Sequence, residues 1–336
     1  MRLIFHIGTG KTGSSSIQAT LKNGQDALRA AGVRYLGVIL EHAENLHPWQ
    51  YFGGNGKLHV LSEAEGSRQV AEVLRATVAA ARRDGHHTLV WSSESFFDRP
   101  EKALPGLQAL VDDGVDVRIV AYLRNHASWS RSAYLQWGIR HKTLPGRIRP
   151  FREYVAARRP LFFAKLRRYA DAFPGKLTVR NFDRCGDVVA DFMKVAGLEP
   201  LALAQARENT TAGDAELLLR ALFNGQFKEP TLPVAFNRAA YRHVRDAATP
   251  GGFLSALLPT PDDLAEVRAM TQDDADEMNR LLAEQGQPPL AFDATARPAA
   301  VDRQRLLLML ASVALRQASR IAELEAWRAN EESPRT

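Results

Sequence analysis

Residues 3–17 of the chain read Leu3-Ile4-Phe5-His6-Ile7-Gly8-Thr9-Gly10-Lys11-Thr12-Gly13-Ser14-Ser15-Ser16-Ile17. An apolar run is followed by a glycine-rich turn, one lysine, several hydroxyl side chains and then a helical pattern. Free N–H groups at a helix N-terminus and the helix dipole favour a bound anion, and glycine lets the backbone fold closely around it. This stretch therefore predicts a strand, a phosphate-binding loop and a helix.

The side chains of this loop offer the groups that a phosphate needs. Lys11 adds a point charge, and hydroxyl groups donate hydrogen bonds or cap the helix that follows. The predicted binding residues are Gly10, Lys11, Thr12, Gly13, Ser14, Ser15 and Ser16. Glycine-rich turns also match such motifs by accident, so an ordinary strand–turn–helix is the alternative interpretation of this stretch taken alone.

The Walker A nucleotide loop is the first motif to compare, and the stretch does not fit it. That motif places a glycine five residues before its Gly-Lys-Ser/Thr end, where this chain has Phe5. No apolar strand ends in an aspartate that would hold magnesium, because the later strands run into Glu94 and Arg124. The sequence therefore predicts no metal, and a P-loop small-molecule kinase is kept as an alternative function.

A second stretch, residues 118–137, has a predicted strand that ends at Arg124 and a helix that carries Ser132 and Tyr134. With this stretch, the chain resembles the sulfotransferases that use 3′-phosphoadenosine 5′-phosphosulfate (PAPS). In that family a Lys-x-Gly-Ser/Thr-Ser/Thr loop holds the 5′-phosphosulfate, and it is matched by Lys11, Gly13, Ser14 and Ser15. A strand ending in arginine, with a serine eight residues later, holds the 3′-phosphate there, as Arg124 and Ser132 would here.

The resemblance also implies further site residues and has two departures. In similar enzymes a glutamate or histidine near the end of the second long strand, or in the loop before it, acts as the base. Here that strand is predicted at residues 88–92, which makes Glu94 the candidate base and His47 or Glu44 the alternatives. A polar loop over the adenosine end would contain Asn209 and Thr210. His126 stands where the family often has proline, and a tryptophan stands where a second arginine is common.

The expected fold is α/β, a P-loop-type three-layer sandwich with a central, mainly parallel sheet and a helical C-terminal extension. Apolar patterns and glycine and proline signals place strands at residues 3–7, 33–36, 88–92, 117–123 and 176–181. Helices are predicted at residues 14–31, 62–83, 105–113, 161–173, 187–196, 215–223, 260–270, 273–284 and 301–327. Residues 37–62 and 138–160 read as acceptor-site loops, and loops of such length often have a function.

The predicted domains are a PAPS-binding domain at residues 1–225 and a helical extension at residues 226–336. The last helix carries an apolar stripe at near-heptad spacing, formed by Leu307, Leu310, Ala314, Ile321 and Leu324. Such a stripe packs either on the main body or against a second copy of the chain. A homodimer through this helix is therefore one of two interpretations of the extension.

Composition limits the class of protein. The 336 residues are 45% hydrophobic and 24% charged, which is typical of a globular protein. One cysteine excludes an internal disulfide and suits a reducing compartment. The chain shows no signal peptide and no apolar run of about 20 residues that would span a bilayer. These features, and the absence of the membrane anchor of Golgi sulfotransferases, lead us to expect a cytoplasmic, bacterial enzyme.

The net charge of +6 is concentrated in the middle of the chain. Between residues 118 and 184 there are sixteen Lys and Arg residues and three acidic residues. A stretch this basic suits an anionic cofactor, but it contains no recognised nucleic-acid motif. We therefore expect PAPS as cofactor, PAP as product, a hydroxyl-bearing acceptor such as a saccharide, and no nucleic-acid partner. A non-catalytic nucleotide-binding or assembly protein is the remaining alternative.

Overall fold

The computed structural model describes residues 1–51, 55–206, 214–225, 227–240 and 257–292, together with nine single positions between 307 and 328. The chain divides into two compact units, each assembled from separated segments. Unit 1 comprises residues 1–129, 160–210 and 268–293, and unit 2 comprises residues 130–159, 211–267 and 294–336. The proposed boundary after residue 225 stays a prediction.

Unit 1 is built around a parallel sheet. The strands are β1 (Arg2–His6), β2 (Val33–Tyr35), β3 (Thr88–Ser92), β4 (Asp116–Leu123) and β5 (Leu177–Asn181). Within the described residues they form one five-stranded sheet in the order β2-β3-β1-β4-β5, and every pair in it is parallel. All five predicted strands are confirmed to within one residue at each end, because buried parallel strands have near-continuous apolar runs.

Helices cover both faces of this sheet. The helices of unit 1 are α1 (Ser14–Asn23), α2 (Gln25–Ala30), α3 (Asn55–Val60), α4 (Glu63–Arg83), α5 (Pro100–Asp112), α8 (Phe163–Ala172), α9 (Val188–Ala196) and α13 (Gln272–Glu284). Side chains alternate along β1, so that Leu3 and Phe5 pack with α4, α5, α8 and α13, whereas Ile4 packs with α1, α2 and α9. The α/β class is confirmed, and the two apolar layers are consistent with a three-layer sandwich.

The first predicted helix is broken in two, which the sequence pattern did not indicate. Gly24 lies between α1 and α2 and has φ −92° and ψ 12°. A Cβ built on Gly24 would lie 2.7 Å from the Leu203 side chain. Glycine at this position therefore permits the close approach of Leu203, and the helix restarts after it.

The prediction of a surface loop at residues 37–62 is wrong for much of its length. The segment contains a 3₁₀ turn (Pro48–Gln50) and α3, and Trp49 and Leu58 belong to the main core. The Gln50 side chain, only 2% exposed, organises it. Its oxygen accepts the amides of Leu46 and His47, and its nitrogen donates to the carbonyls of Leu40 and Glu44. These bonds satisfy the backbone and allow the segment to be buried.

The segment after α13 covers the edge strand of the sheet. The Gln285 side chain accepts the Val179 amide and donates to the Leu177 carbonyl, both at 2.9 Å. The Asn181 side chain donates to the carbonyls of Pro288 and Pro289. An uncovered edge strand exposes backbone groups that pair with other chains, so this segment completes the sheet of unit 1 although it lies beyond residue 225.

We expect Gln285→Ala to lower the free energy of unfolding by about 1–3 kcal/mol, because two backbone groups of β5 lose their partner. Urea denaturation of the full chain measures this difference. Glu284→Ala, at the exposed last position of α13, is the control and should leave the midpoint in place. Equal stability of Gln285→Ala and the wild type would contradict the assignment of Gln285 as an edge cover.

Unit 2 contains α7 (Phe151–Ala157), α10 (Asp214–Gly225) and α11 (Pro233–Ala240), and it includes a π-helical segment at Tyr134–Arg140. The Asn224 side chain donates to the carbonyls of Ile139 and Arg140, and the buried Lys142 ammonium donates to the carbonyls of Phe227 and Glu229. These contacts hold the π-helical end against α10. The predicted acceptor loop at residues 138–160 thus includes regular structure, and its role stays a prediction.

Two helices join the units along the chain, α6 (His126–Ala133) and α12 (Pro261–Met270). The helices predicted at residues 62–83, 161–173, 187–196, 215–223, 260–270 and 273–284 are present, and the one predicted at residues 105–113 begins earlier, at Pro100. Among the described residues, no helix is long and apolar enough to cross a membrane. The four large apolar side chains of the predicted C-terminal stripe are 44–66% exposed at helical positions, and the homodimer stays a prediction.

Candidate phosphate-binding site

The loop after β1 has a backbone that glycine makes possible. Gly10 and Gly13 have φ values of 66° and 79°, and Lys11 between them has φ 53°. Gly13 is the N-cap of α1, and a Cβ built there would lie 2.5 Å from the Val188 side chain. Successive residues in left-handed conformations turn their N–H groups to one side, which is the geometry of an anion-binding concavity.

Three polar atoms converge beneath Gly8. A Cβ built on Gly8 would lie 2.9 Å from Thr12 Oγ1, 3.0 Å from Ser14 Oγ and 3.2 Å from His6 Nε2. All three atoms are buried and have no hydrogen-bond partner among the described residues. Buried polar atoms are rarely left in this state. The hydroxyls of the predicted loop residues Thr12 and Ser14 therefore have unused hydrogen-bonding capacity.

Trp129 supports the loop from α6, which the sequence analysis did not predict. Its indole N–H lies 3.0 Å from the Thr9 carbonyl and 3.1 Å from the Gly10 carbonyl. The indole N–H therefore supplies a hydrogen-bond donor to two backbone carbonyls of the loop. Trp129 stands where the resembling family often has a second arginine, and it stabilises the loop here through the backbone.

Arg124 is tied to the same loop. It follows β4, the neighbour of β1, and its Nη1 donates to the Lys11 carbonyl at 3.1 Å. Its Nε donates to Ser128 Oγ at 3.2 Å and lies 3.5 Å from Asp183 Oδ1. The guanidinium stacks over the Phe182 ring, 5.3 Å from the centroid. Arg124 and the loop after β1 are therefore in direct contact, and their predicted binding of one cofactor stays a prediction.

Glu94 lies at the same edge of the sheet on the other side of β1. His6 at the end of β1 is in register with Ser92 at the end of β3, and Glu94 follows two residues later. The Gln18 amide, on α1, donates to Glu94 Oε2 at 2.7 Å and to the Ser92 carbonyl at 3.2 Å. The helix that begins at the phosphate loop thus also fixes the candidate base.

A second carboxylate, that of Glu41, affects the pKa of Tyr35 together with Glu94. The sequence did not indicate a role for Glu41. Burial, and then the charges of Glu41 and Glu94, raise the pKa of the Tyr35 phenol far above its usual range. Tyr35 is the last residue of β2, the strand that pairs with β3. The Tyr35 phenol stays protonated at every physiological pH.

The alternative bases are placed in other surroundings. Glu44 pairs with Arg34 of β2 at 3.1 Å. His47 lies 3.3 Å from Glu72 of α4 and stacks on Trp49. The structure therefore brings Glu94, and neither Glu44 nor His47, into hydrogen-bond contact with the helix that follows the phosphate loop.

The remaining predicted residues belong to other parts of the chain. Ser132 lies near the end of α6 and belongs to unit 2, as does Tyr134, which is buried and donates to the Arg149 carbonyl at 2.8 Å. Asn209 and Thr210 lie outside the described residues. Their predicted contacts with the cofactor stay predictions.

His126, the departure from the family's proline, forms a buried pair with Asp274. Its Nε2 lies 2.7 Å from Asp274 Oδ2, and its ring stacks on Phe162. The same carboxylate accepts the amides of Phe162 and Phe163 at 2.9–3.0 Å. Asp274 thereby joins α13 to the beginnings of α6 and α8. Of these helices, α6 begins two residues after Arg124.

No protein-family model matches the sequence, and no curated protein matches it. The function is therefore argued from the geometry of the site and from the motifs.

Proposed function

We propose that the chain is a sulfotransferase that transfers the sulfuryl group of PAPS to an acceptor hydroxyl, with a carbohydrate as the expected acceptor. One observation carries the proposal: the phosphate loop, Glu94 and Arg124 follow three adjacent parallel strands. The loop is bonded to Arg124 through the Lys11 carbonyl, and Glu94 is bonded to Gln18 on the helix that the loop begins. In open α/β sheets, ligands bind beyond the carboxyl ends of the strands.

The residues present fit a phosphosulfate. The unpartnered hydroxyls of Thr12 and Ser14, the left-handed backbone at Gly10 and Lys11, and the N-terminus of α1 form a cradle for an anion. Arg124 would hold the 3′-phosphate and so select PAPS over ATP. PAPS supplies an activated sulfuryl group when bound.

The roles of the chain's own groups follow from the charge that moves in such a transfer. The acceptor oxygen forms a bond to sulfur while the bond from sulfur to the bridging oxygen breaks, and its electron pair passes to the leaving phosphate. Lys11 and the N-terminus of α1 stabilise that charge. Glu94 takes the proton of the acceptor hydroxyl. Positioning and electrostatics supply the catalysis, as in phosphoryl transfer.

Calorimetric binding of PAP, AMP and ATP in EDTA tests the cofactor. We expect tight binding of PAP without metal and weaker binding of AMP, which lacks the 3′-phosphate. Arg124→Ala and Arg124→Lys should each weaken PAP binding by about ten- to hundredfold, since a hydrogen bond to a charged group contributes about 1.5–3 kcal/mol. AMP binding should change far less.

Arg118→Ala is the matched control. Arg118 lies near the beginning of β4, is exposed, and pairs with Asp116, so its loss removes the same charge at the opposite edge of the sheet. It should leave PAP binding intact. Equal binding of ATP and PAP, or binding only with magnesium, would overturn the sulfotransferase proposal in favour of a kinase.

A further inference from the structure

The turn that follows β5, a 3₁₀ turn at Phe182–Arg184, lies against the arginine of the proposed site. The Phe182 ring centroid is 5.3 Å from the guanidinium carbon of Arg124. Asp183 Oδ1 lies 3.5 Å from Arg124 Nε, and Asp183 Oδ2 accepts the amide N–H of Asn125 at 2.9 Å. One carboxylate therefore contacts both the Arg124 side chain and the backbone of the next residue.

The carboxylate of Asp183 is held in place from its own part of the chain. Asn181, which is 2% exposed, caps the turn, and its Oδ1 accepts the Asp183 amide N–H at 3.0 Å. Its Nδ2 donates to the carbonyls of Pro288 and Pro289, both at 2.9 Å. Both ends of the Asn181 amide are thus bonded, so the turn is fixed without any contribution from Arg124.

The contacts of Arg124 define the plane of its guanidinium. Nη1 donates to the Lys11 carbonyl at 3.1 Å, and the single N–H of Nε donates to Ser128 Oγ at 3.2 Å. The 3.5 Å between Nε and Asp183 Oδ1 exceeds the length of a charge-assisted hydrogen bond, about 2.7–2.9 Å. Asp183 therefore acts on Arg124 as an opposite charge. Because the guanidinium is a rigid planar fork, these contacts together set its orientation.

We propose that Asp183 is a positioning residue, which holds the Arg124 guanidinium in the orientation in which it binds a phosphate group. The inference rests on the proposed function for the identity of that group, the 3′-phosphate of PAPS. A long side chain that is ordered in advance has less conformational freedom to lose on binding. A carboxylate close to a phosphate also repels it. The sign of the change in affinity on removal of Asp183 therefore separates a positioning carboxylate from an incidental one.

Asp183→Ala should weaken PAP binding by about tenfold, a coupling of the usual size for residues in contact. AMP binding should change far less, because AMP lacks the 3′-phosphate. Asp183→Asn keeps an oxygen for the Asn125 amide and should weaken PAP binding by a smaller factor. Calorimetry on the full chain measures all three affinities. Unchanged or stronger PAP binding in either variant would overturn the proposal.

A double-mutant cycle with Arg124→Ala provides a readout that a merely structural role does not move. In the Arg124→Ala background, Asp183→Ala should cause no further loss of PAP affinity, because no guanidinium is left to position. The same loss in both backgrounds would be additive and would overturn the proposal.

Asp98→Ala is the control for charge. Asp98 follows β3, is exposed, and pairs with Lys165, so its loss removes the same charge from the same unit. It should leave PAP binding unchanged. A loss of affinity equal to that of Asp183→Ala would overturn the proposal, since the position of the carboxylate would then not matter.

The outcomes distinguish this inference from the proposed function. If PAP binds tightly and selectively and Asp183→Ala leaves its affinity unchanged, the sulfotransferase proposal stands and the role of Asp183 fails. If ATP binds as tightly as PAP, the sulfotransferase proposal fails. The role of Asp183 then stands if Asp183→Ala weakens ATP binding in the wild-type background and not in Arg124→Ala, and fails otherwise. If neither PAP nor ATP binds, both are overturned.

Discussion

Glu94→Gln is expected to lower kcat for sulfuryl transfer by about 10²–10⁴-fold, the usual contribution of a general base, while PAP binding stays almost unchanged. Glutamine has the shape of glutamate and still accepts a hydrogen bond from Gln18, but it does not take the acceptor proton. Steady-state transfer to a saccharide acceptor measures kcat, and calorimetry measures PAP binding in the same preparation.

Glu41→Gln is the control for charge, because Glu41 acts on Tyr35 as Glu94 does and removing it changes the local field in a similar way. Glu44→Gln and His47→Asn test the alternative bases. Activity that survives Glu94→Gln and is lost in one of these two variants would move the base to that residue. Loss of PAP binding in Glu94→Gln would indicate that the carboxylate positions the loop.

The sheet and the strand–turn–helix at its first strand were predictable because their signals are local. Apolar runs mark the five strands, and the order of glycines, lysine and serines after Ile7 describes a loop that leads into a helix. The parallel order then brings Lys11, Glu94 and Arg124 to one edge. Each of these inferences needs only neighbouring residues and a rule of topology.

The supports of the site were not predictable because their partners are distant in the chain. Trp129 donates to a carbonyl 120 residues away, and His126 contacts Asp274 across 148 residues. Neither residue type indicates such a partner by itself. The burial of residues 37–62 likewise depends on one glutamine, Gln50, which satisfies four backbone groups, and no periodicity records that.

The segment that completes unit 1 is also distant in the chain from the sheet. Residues 268–293 belong to the unit that contains the sheet, where Gln285 bonds to β5 and Asp274 bonds to the beginnings of α6 and α8. The motifs of the resembling family end before residue 225, so they carry no information about this segment. The division of the chain after residue 225 stays a prediction.

Asp274→Ala is expected to lower the free energy of unfolding by about 3–5 kcal/mol, the cost of breaking a buried pair from one side. The carboxylate accepts from His126 Nε2 and from the Phe162 and Phe163 amides, and alanine leaves all three donors without it. Urea denaturation of the full chain measures the loss of free energy of unfolding. Asp273→Ala, at the exposed neighbouring position of α13, is the control and should change stability by less than about 0.5 kcal/mol.

The stability that Asp274 contributes depends on pH, and the direction follows from its pKa. Burial alone would raise the pKa of Asp274, but the hydrogen bonds from His126 and the two amides outweigh it, so the folded-state pKa is lowered. Such a group contributes its stability fully above the unfolded pKa of about 3.9 and loses it as pH falls through the folded pKa. The stability difference between wild type and Asp274→Ala should therefore shrink as the pH falls below about pH 4. A difference that grows below about pH 4 would mean that Asp274 is protonated in the folded protein and donates to a neighbour.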